Sequence, residues 1–202
     1  MKNLLFIISI IFTFFNCKAQ SPVLPLDDLD WKNTDNAYYK DTNNELNTFE
    51  GTWLYNDGDT SLKIILVKSV QYFNGDYYED TIVGGYQYIE AGIEKINTLT
   101  DSNNPTLGYE ASIYGNTIFD DCRYLSVNDC IEGEKSLGLA IDDTNSEFHY
   151  GDLIIYKREV NGQEAIKINI EMTYTFGLET IDGDVPDPSI PWQMHNIVLI
   201  KQ

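Results

Sequence analysis

The chain has 202 residues, and its 13 lysines and arginines stand against 32 aspartates and glutamates, which gives a formal net charge of −19. Such an acidic composition excludes nucleic acid as a partner, because phosphates are bound by clustered lysine and arginine side chains. Hydrophobic residues make up 43% of the chain and aromatic residues 13%. We therefore expect one folded domain with an acidic, solvated surface rather than a disordered chain.

Residues 1–19 have the pattern of an export signal. Lys2 supplies one positive charge, the stretch Leu4–Phe15 is apolar except for Ser9 and Thr13, and small and polar residues follow. A membrane-spanning helix needs roughly twenty apolar residues, so this stretch is too short to be one. We predict a signal peptide, and we expect the rest of the chain to fold outside the cytoplasm.

Two routes of processing remain open. The segment Phe14-Phe15-Asn16-Cys17 resembles a lipobox, in which case Cys17 is the lipidated first residue of a protein held in the cell envelope. A lipoprotein cysteine carries more than one acyl chain, which is what stable membrane anchoring requires. In the alternative, signal peptidase I cuts after Ala19 and the protein is secreted or periplasmic. Because anionic lipids repel an acidic domain, the membrane is a predicted partner only through Cys17.

Residues 20–48 are rich in proline, aspartate and asparagine, and they are predicted to form a flexible tether with one short helical turn near Asn43–Leu46. From Phe49 onwards apolar residues alternate with polar ones, as in strands with one buried face. Residues 49–202 are therefore predicted to form the folded domain. The predicted strands are Gly51–Tyr55, Leu62–Tyr72, Tyr77–Ile89, Ile93–Leu99, Ala111–Phe119, Ser136–Ile141, Asp152–Val160, Ala165–Tyr174 and Trp192–Lys201.

Short turns join these strands. Asn74-Gly75 and Asn161-Gly162 are typical of tight hairpins, and Ala91-Gly92 marks another turn. The pair Gly84-Gly85 inside a strand indicates a bulge or a sharp bend. About nine consecutive strands predict an all-β antiparallel meander that closes into a barrel, with a two-sheet β-sandwich as the alternative.

The two cysteines that follow the export signal are predicted to pair. Cys122 and Cys130 form an even pair in an exported chain, which is typical of a disulfide. A bridge over such a short loop stabilises the fold by roughly 2.5 kcal/mol in the chain-entropy estimate. A pair of free thiols is the alternative.

No motif predicts a catalytic site, a cofactor or a metal site. His149 and His195 lack the spacing of paired metal ligands and are interpreted as residues of the sheet or its rim. Carboxylates at Asp182, Asp184 and Asp187 lie close together on a loop with glycine and proline, which leaves calcium binding open beside a plain acidic turn. The acidic run 143–147 is a weaker candidate of the same kind.

Tyrosine is the other notable residue type. Half-buried strands favour tyrosine, while a surface on which rings stack against a glycan is the functional alternative. The tyrosines considered for such a surface are Tyr77, Tyr78, Tyr86, Tyr88, Tyr109, Tyr114 and Tyr124.

The segment Phe49-Glu50-Gly51-Thr52-Trp53 resembles the Gly-x-Trp signature of lipocalins and bacterial lipocalin-like domains. The resemblance implies an eight-stranded barrel in which the tryptophan closes one end and the interior holds a small apolar ligand. The helix and the late arginine of that family have no counterpart here, where only Lys201 stands near the end.

A second resemblance covers nearly the whole chain. The segments 17–20, 49–54, 60–62, 77–80, 85–89 and 94–97 together resemble an uncharacterised family of Bacteroidota secreted proteins and lipoproteins. This resemblance implies an exported protein with one domain type, and it implies no activity.

These observations predict a non-catalytic binding or accessory module of the cell envelope, carrying a small apolar ligand in its barrel. A surface adhesin or assembly component that contacts an envelope protein through an exposed face is the alternative. An enzyme is the third and least favoured reading.

Overall fold

The computed structural model describes residues 21–27, 34–122, 129–146, 148–175 and 187–202. These residues form eleven strands and three short 3-10 helices, and among them no helix combines the length and apolar character needed to cross a membrane. The strands are β1 (Val23–Pro25), β2 (Tyr38–Lys40), β3 (Gly51–Asp57), β4 (Thr60–Phe73), β5 (Tyr78–Glu90), β6 (Ile93–Asn97), β7 (Ile113–Phe119), β8 (Ser136–Asp142), β9 (His149–Val160), β10 (Gln163–Tyr174) and β11 (Gln193–Lys201). The 3-10 helices are Leu46–Thr48, Leu99–Asn103 and Pro105–Glu110.

Eight of the strands form a closed antiparallel barrel. Their order is β5-β4-β3-β11-β10-β9-β8-β7, and β7 pairs again with β5. The closing ladder joins Ile82–Gly84 to Ile113–Gly115. Closure leaves the barrel strands without a free edge along this path. The barrel that the strand pattern predicted is confirmed, and the alternative β-sandwich is not what the chain forms.

All nine predicted strands are present as β3 to β11, with ends that differ by a few residues. Two of the predicted turns fix the register as expected, whereas Asn74-Gly75 lies in a four-residue connection between Phe73 and Tyr78, where only Gly75 has positive φ, at 113°. Asn161 and Gly162 both have positive φ, at 53° and 79°, in the two-residue turn between β9 and β10. Ala91 and Gly92, at 50° and 73°, form the same kind of turn between β5 and β6.

The prediction of a bulge at Gly84-Gly85 is wrong. The pairing of β4 with β5 is regular there, and its register shifts instead between Ser69 and Tyr72, where Gln71 has a φ of 56°. The two glycines instead allow the backbone of neighbouring segments to approach β5 closely. A Cβ on Gly85 would lie 2.0 Å from the carbonyl oxygen of Thr98, in the segment that covers the outside of β5.

The structure departs from the flexible tether predicted for residues 20–48 wherever those residues are described. β1 runs parallel to β2, and β2 runs parallel to β5, so both strands extend the sheet beyond the barrel. The predicted helical turn is present as Leu46–Thr48, slightly later than expected. Ala37, Tyr39 and Leu46 are buried, and these apolar contacts explain why the segment packs on the barrel.

Two buried carboxylates hold this segment in place. Asp41 accepts hydrogen bonds from the backbone N–H groups of Glu45 and Leu46, at 2.9 and 3.0 Å, and pairs with the Lys68 ammonium of β4 at 2.8 Å. Asp80 of β5 accepts from the Asp41 N–H at 3.0 Å and from the hydroxyl of Tyr38 at 2.6 Å. Each carboxylate oxygen therefore has a donor, as buried charges require.

The inside of the barrel is one contiguous core. Side chains that share the inner face of neighbouring strands meet there, as the pairing of Ile168 with Ile155 and of Ile170 with Leu153 shows. The buried members of this core are Leu46, Phe49, Trp53, Leu62, Ile64, Leu66, Ile82, Tyr86, Tyr88, Ile96, Ile113, Leu137, Leu139, Ile141, Leu153, Ile155, Ile166, Ile168, Ile170, Met172, Ile190, Met194 and Leu199. An eight-stranded barrel is just wide enough for such side chains to fill it.

Trp53 lies at the lower end of the barrel, which we define as the end where β3 and β10 begin. Its ring is fully buried, and its Nε1–H donates to the carbonyl of Phe49 at 3.0 Å. The ammonium groups of Lys157 and Lys201 lie 4.9 and 5.4 Å from the ring centroid, within the range of a cation–π contact. Burial lowers the pKa of Lys157.

The predicted disulfide between Cys122 and Cys130 is confirmed, with the two Cα atoms 5.8 Å apart. Cys130 packs against Ile154 and Tyr156 on the outside of β9. The residue before it, Asp129, forms ion pairs with Arg158 and Lys167, and these cations lower its pKa to about 2. The ion pairs and the packing of the bridged Cys130 together hold Asp129 and Cys130 against the barrel wall.

Replacement of Gly85 by alanine tests the close approach of the Thr98 segment. The added methyl group would meet the Thr98 carbonyl oxygen, and overpacking against backbone costs about 3 kcal/mol or more of unfolding free energy. Chemical denaturation measures this loss. Gly58→Ala is the control, because nothing lies within 4 Å of its Cβ and only its φ of 60° opposes alanine, at about 1–2 kcal/mol. Equal losses for both variants would contradict the proposed contact.

Candidate functional site

A pocket of about 500 Å³, lined mostly by residues with polar side chains, lies at the upper end of the barrel, where β8 ends and β9 begins. The turn between these strands forms one wall, and the segment before β11 forms the other. The lining residues are Asp143, Thr144, Asn145, Ser146, Phe148, Asp187 and Ser189. Two stretches that are 39 residues or more apart in the chain therefore meet at one site.

Asp143 holds the two walls together. Its Oδ1 accepts from the N–H of Asn145 at 3.0 Å, which closes the turn, and from the Ser189 hydroxyl at 2.9 Å. Its Oδ2 accepts from the Ser189 N–H at 2.5 Å. The side chain is almost completely buried, so charge-assisted bonds to three donors stabilise it. Asp143 is therefore a structural bridge within the pocket and its oxygens are engaged.

Asn145 adds a second bridge. Its Nδ2 group donates to the carbonyl of Lys95 and to the Ser189 hydroxyl, each at 3.0 Å. Phe148 accepts a backbone hydrogen bond from Thr175 at 2.9 Å, just after the end of β10. Bonds to β6, to the end of β10 and to the segment before β11 thus fix the shape of the pocket.

His149 lies directly behind the pocket, as the first residue of β9. Its Nδ1 is 2.7 Å from the Ser146 hydroxyl, and its ring packs edge-on against Trp192 with centroids 5.2 Å apart. Trp192 in turn donates its Nε1–H to Asp187 at 3.0 Å. The Nε2 atom of His149 is buried and has no hydrogen-bond partner among the described residues.

Among the described residues around Ser146 and His149, the carboxylate of Asp143 is engaged in structural hydrogen bonds. Activation of a serine requires a histidine oriented by a third group and donors for a developing oxyanion. Asp143 bonds to Asn145 and Ser189 rather than to His149, and the N–H groups of Asn145 and Ser189 are both engaged by Asp143. The arrangement is suited to binding a polar group between fixed walls.

The second histidine is exposed on β11. The Nε2 atom of His195 lies 3.2 Å from a carboxylate oxygen of Glu171 on the neighbouring strand β10. Both histidines therefore lie in strands, as the sequence predicts.

The calcium hypothesis is tested only in part by this geometry. Asp187 lines the pocket and its Oδ1 accepts from Trp192, whereas Asp182 and Asp184 lie outside the described residues. Among residues that the structure describes, no group of three or more His, Cys, Asp or Glu side chains is placed to hold a metal ion. Cys17 also lies outside the described residues, so its lipidation stays a prediction.

The tyrosines divide into separate groups. Tyr109 packs against Tyr72 and Tyr114 with centroids 5.5 and 5.3 Å apart, and a Cβ on Gly108 would overlap the Tyr72 ring. The Tyr109 hydroxyl donates to the buried Glu79 carboxylate, and burial together with this contact raises its pKa. These rings cover the outside of β5 and are held by packing rather than presented for stacking.

The remaining tyrosines lie elsewhere. Tyr86 and Tyr88 belong to the barrel core, and Tyr86 donates to the carbonyl of Asp142 near the pocket. Tyr77 packs edge-on against Tyr39, and Tyr78 packs against Phe73 at the lower end. Tyr124 lies outside the described residues.

The comparisons with known proteins give a family. One family model, described as a family of unknown function (DUF6705), matches residues 1–202. The chain belongs to the DUF6705 family. Neither the curated proteins nor the solved structures contain a match to it. This membership covers the whole chain, the predicted signal included, and it assigns no activity.

The role of Asp143 is tested by its replacement with asparagine. An amide presents one acceptor oxygen where the carboxylate presents two, so one of the bonds to Ser189 or Asn145 is lost, at about 1–3 kcal/mol of unfolding free energy. Hydrogen exchange by mass spectrometry is expected to show faster exchange at Ser189 and Asn145. Thr144→Ala, a change at an exposed pocket residue, serves as the control. Unchanged exchange in Asp143→Asn would show that the two walls are held by other contacts.

Proposed function

We propose that this protein is an exported cell-envelope lipoprotein, anchored through Cys17, that acts without catalysis by binding a partner at its outer surface. The observation that carries the proposal is the single contiguous core inside the barrel. In a carrier the inner faces of the strands line a ligand cavity, whereas here they contact one another.

Two further features support export and the absence of catalysis. A disulfide is typical of chains that fold outside the reducing cytoplasm, and Cys122 is bonded to Cys130. The upper pocket brings a serine and a histidine together but engages the nearby carboxylate and amides in structural bonds. These bonds favour a recognition site for a polar group over a reaction centre.

A carrier of a small apolar ligand is the second candidate. The closed eight-stranded barrel and the buried tryptophan at its lower end favour it. The two candidates differ in what fills the space around the inner side chains of β10, and that difference is measurable.

Replacement of Ile168 by alanine distinguishes them. In a packed core the change leaves a cavity and lowers the unfolding free energy by about 2–5 kcal/mol. Thr173→Ala on the exposed face of the same strand is the control, and we expect its effect to lie within about 0.5 kcal/mol. Denaturant titration of the purified protein gives both values.

Native mass spectrometry of gently purified protein completes this test. We expect the mass of the polypeptide with its anchor alone. A stoichiometric apolar molecule in the barrel, together with a small effect of Ile168→Ala, would contradict the proposal and support the carrier.

The anchor is tested by Cys17→Ser in the full-length protein expressed in a bacterial host with an envelope. We expect the native protein in the membrane fraction, with an N-terminal mass that includes acyl chains on Cys17. The variant is expected to leave the membrane fraction, because two or three chains provide most of the membrane affinity. A mature protein that begins at Gln20 without lipid would show that signal peptidase I processes the chain.

A further inference from the structure

One row of apolar and aromatic side chains crosses four strands at the lower end of the molecule. Val23 of β1 pairs with Tyr38 of β2, Tyr38 pairs with Tyr78 of β5, and Tyr78 pairs with Phe73 of β4. Directly paired residues point to the same face of a sheet. With strands about 4.8 Å apart, the row is about 15 Å long.

The ends of this row are open to solvent. Val23 is 52% exposed and Phe73 is 46% exposed. The middle of the row is held firmly. The Tyr38 hydroxyl is bonded to Asp80, and the rings of Phe73 and Tyr78 are 4.8 Å apart. Exposed apolar side chains gathered on one rigid face are typical of a contact surface.

The number of residues between this row and the predicted anchor indicates which surface the row contacts. Six residues lead from Cys17 to Val23. An extended chain spans at most about 3.3–3.6 Å per residue, so Val23 lies within roughly 20 Å of the lipidated residue. A distance of this size is smaller than the barrel is long, since strands of 12 residues such as β9 and β10 measure about 40 Å and their tilt leaves roughly 30 Å along the barrel axis. An anchor at Cys17 would therefore turn the lower end towards the membrane.

We propose that this apolar row docks the barrel onto the surface of the bilayer that holds the Cys17 acyl chains. The proposal rests on the lipidation proposed above. Tyrosine rings favour the boundary between headgroups and acyl chains, because one end of the ring is apolar and the other is polar.

The charge of the surrounding surface limits the kind of lipid. Exposed Asp35 and Asp76 lie just before β2 and β5, next to the row, while exposed Asp27 and Lys40 lie at the other ends of β1 and β2. Neutral zwitterionic lipid is consequently favoured over anionic lipid.

Docking would fix the orientation of the molecule. The upper pocket lies at the opposite end of the barrel from the row, so it would point away from the membrane. A binding site for a polar group would then be presented to the aqueous space. The short connection would thus set which end of the barrel faces the membrane.

Tryptophan fluorescence in vesicles tests the docking. Full-length acylated Phe73→Trp protein is placed in phosphatidylcholine vesicles with and without brominated acyl chains, and the emission of the unsubstituted protein is subtracted. Bromine quenches at close range, and interfacial side chains lie about 5–10 Å into the headgroup and acyl boundary. We expect most of the added emission at residue 73 to be quenched. The matched control is Tyr150→Trp, at a residue that is 48% exposed at the upper end, where we expect little quenching.

The outcomes separate the docking from the anchor. Intact mass shows first whether Cys17 carries acyl chains, and a mass without them would overturn both proposals. An acylated protein that is quenched equally at residues 73 and 150 would overturn the docking alone. An unquenched residue 73 with a dimer in native mass spectrometry would also overturn it and would assign the row to a second copy of the chain. Replacing phosphatidylcholine with phosphatidylglycerol is expected to reduce the quenching, and unchanged quenching would contradict the proposed charge effect.

Discussion

The fold depends on a short ladder that closes the barrel. Only three residue pairs join β5 to β7, between Ile82–Gly84 and Ile113–Gly115. The same edge of β5 pairs with β2 before this ladder and with β6 after it. β5 is therefore buried along most of its length, and no other strand contacts as many neighbours. Without this closure the inner faces of the other strands would be left open to water.

A cluster of buried ionic side chains near the lower end attaches the N-terminal segment to the barrel. Lys68 lies between Asp41 and Asp80, at 2.8 and 3.8 Å from their oxygens, and all three side chains are nearly buried. Removing one partner of such a cluster leaves an uncompensated buried charge, which is strongly destabilising. The cluster connects the N-terminal segment to the bulge at Gln71, whose N–H donates to Asp80 at 3.0 Å. Within the predicted tether, residues 34–48 are thus part of the folded domain.

Much of the fold could be predicted from the sequence, because strand alternation and turn residues are local signals. Asn161-Gly162 fixes a hairpin by its own backbone preferences, whatever lies around it. The bulge at Gly84-Gly85 was predicted wrongly because the need for glycine there is not local. It comes from the backbone of Thr98, which approaches β5 from a later part of the chain. β1 and β2 escaped prediction because three-residue strands are too short to show alternation, and their parallel pairing depends on contacts with β5.

The candidate site was harder to predict. Asp143 and Asn145 have the composition of an Asx turn, which could have indicated a closed loop. Ser189 carried no such signal, because its partner lies forty-six residues away. The apolar row at the lower end also needs the three-dimensional register, since Val23 and Phe73 are far apart in the chain.

Backbone NMR of the folded protein tests the central claim, the closed barrel, most directly. We expect nuclear Overhauser contacts between the backbone protons of Val83 and Tyr114, together with slow amide exchange within both closing segments. Absence of these contacts, with exchange at Ile82–Gly84 as fast as in the exposed turn at Gly92, would contradict closure and would support an open sheet.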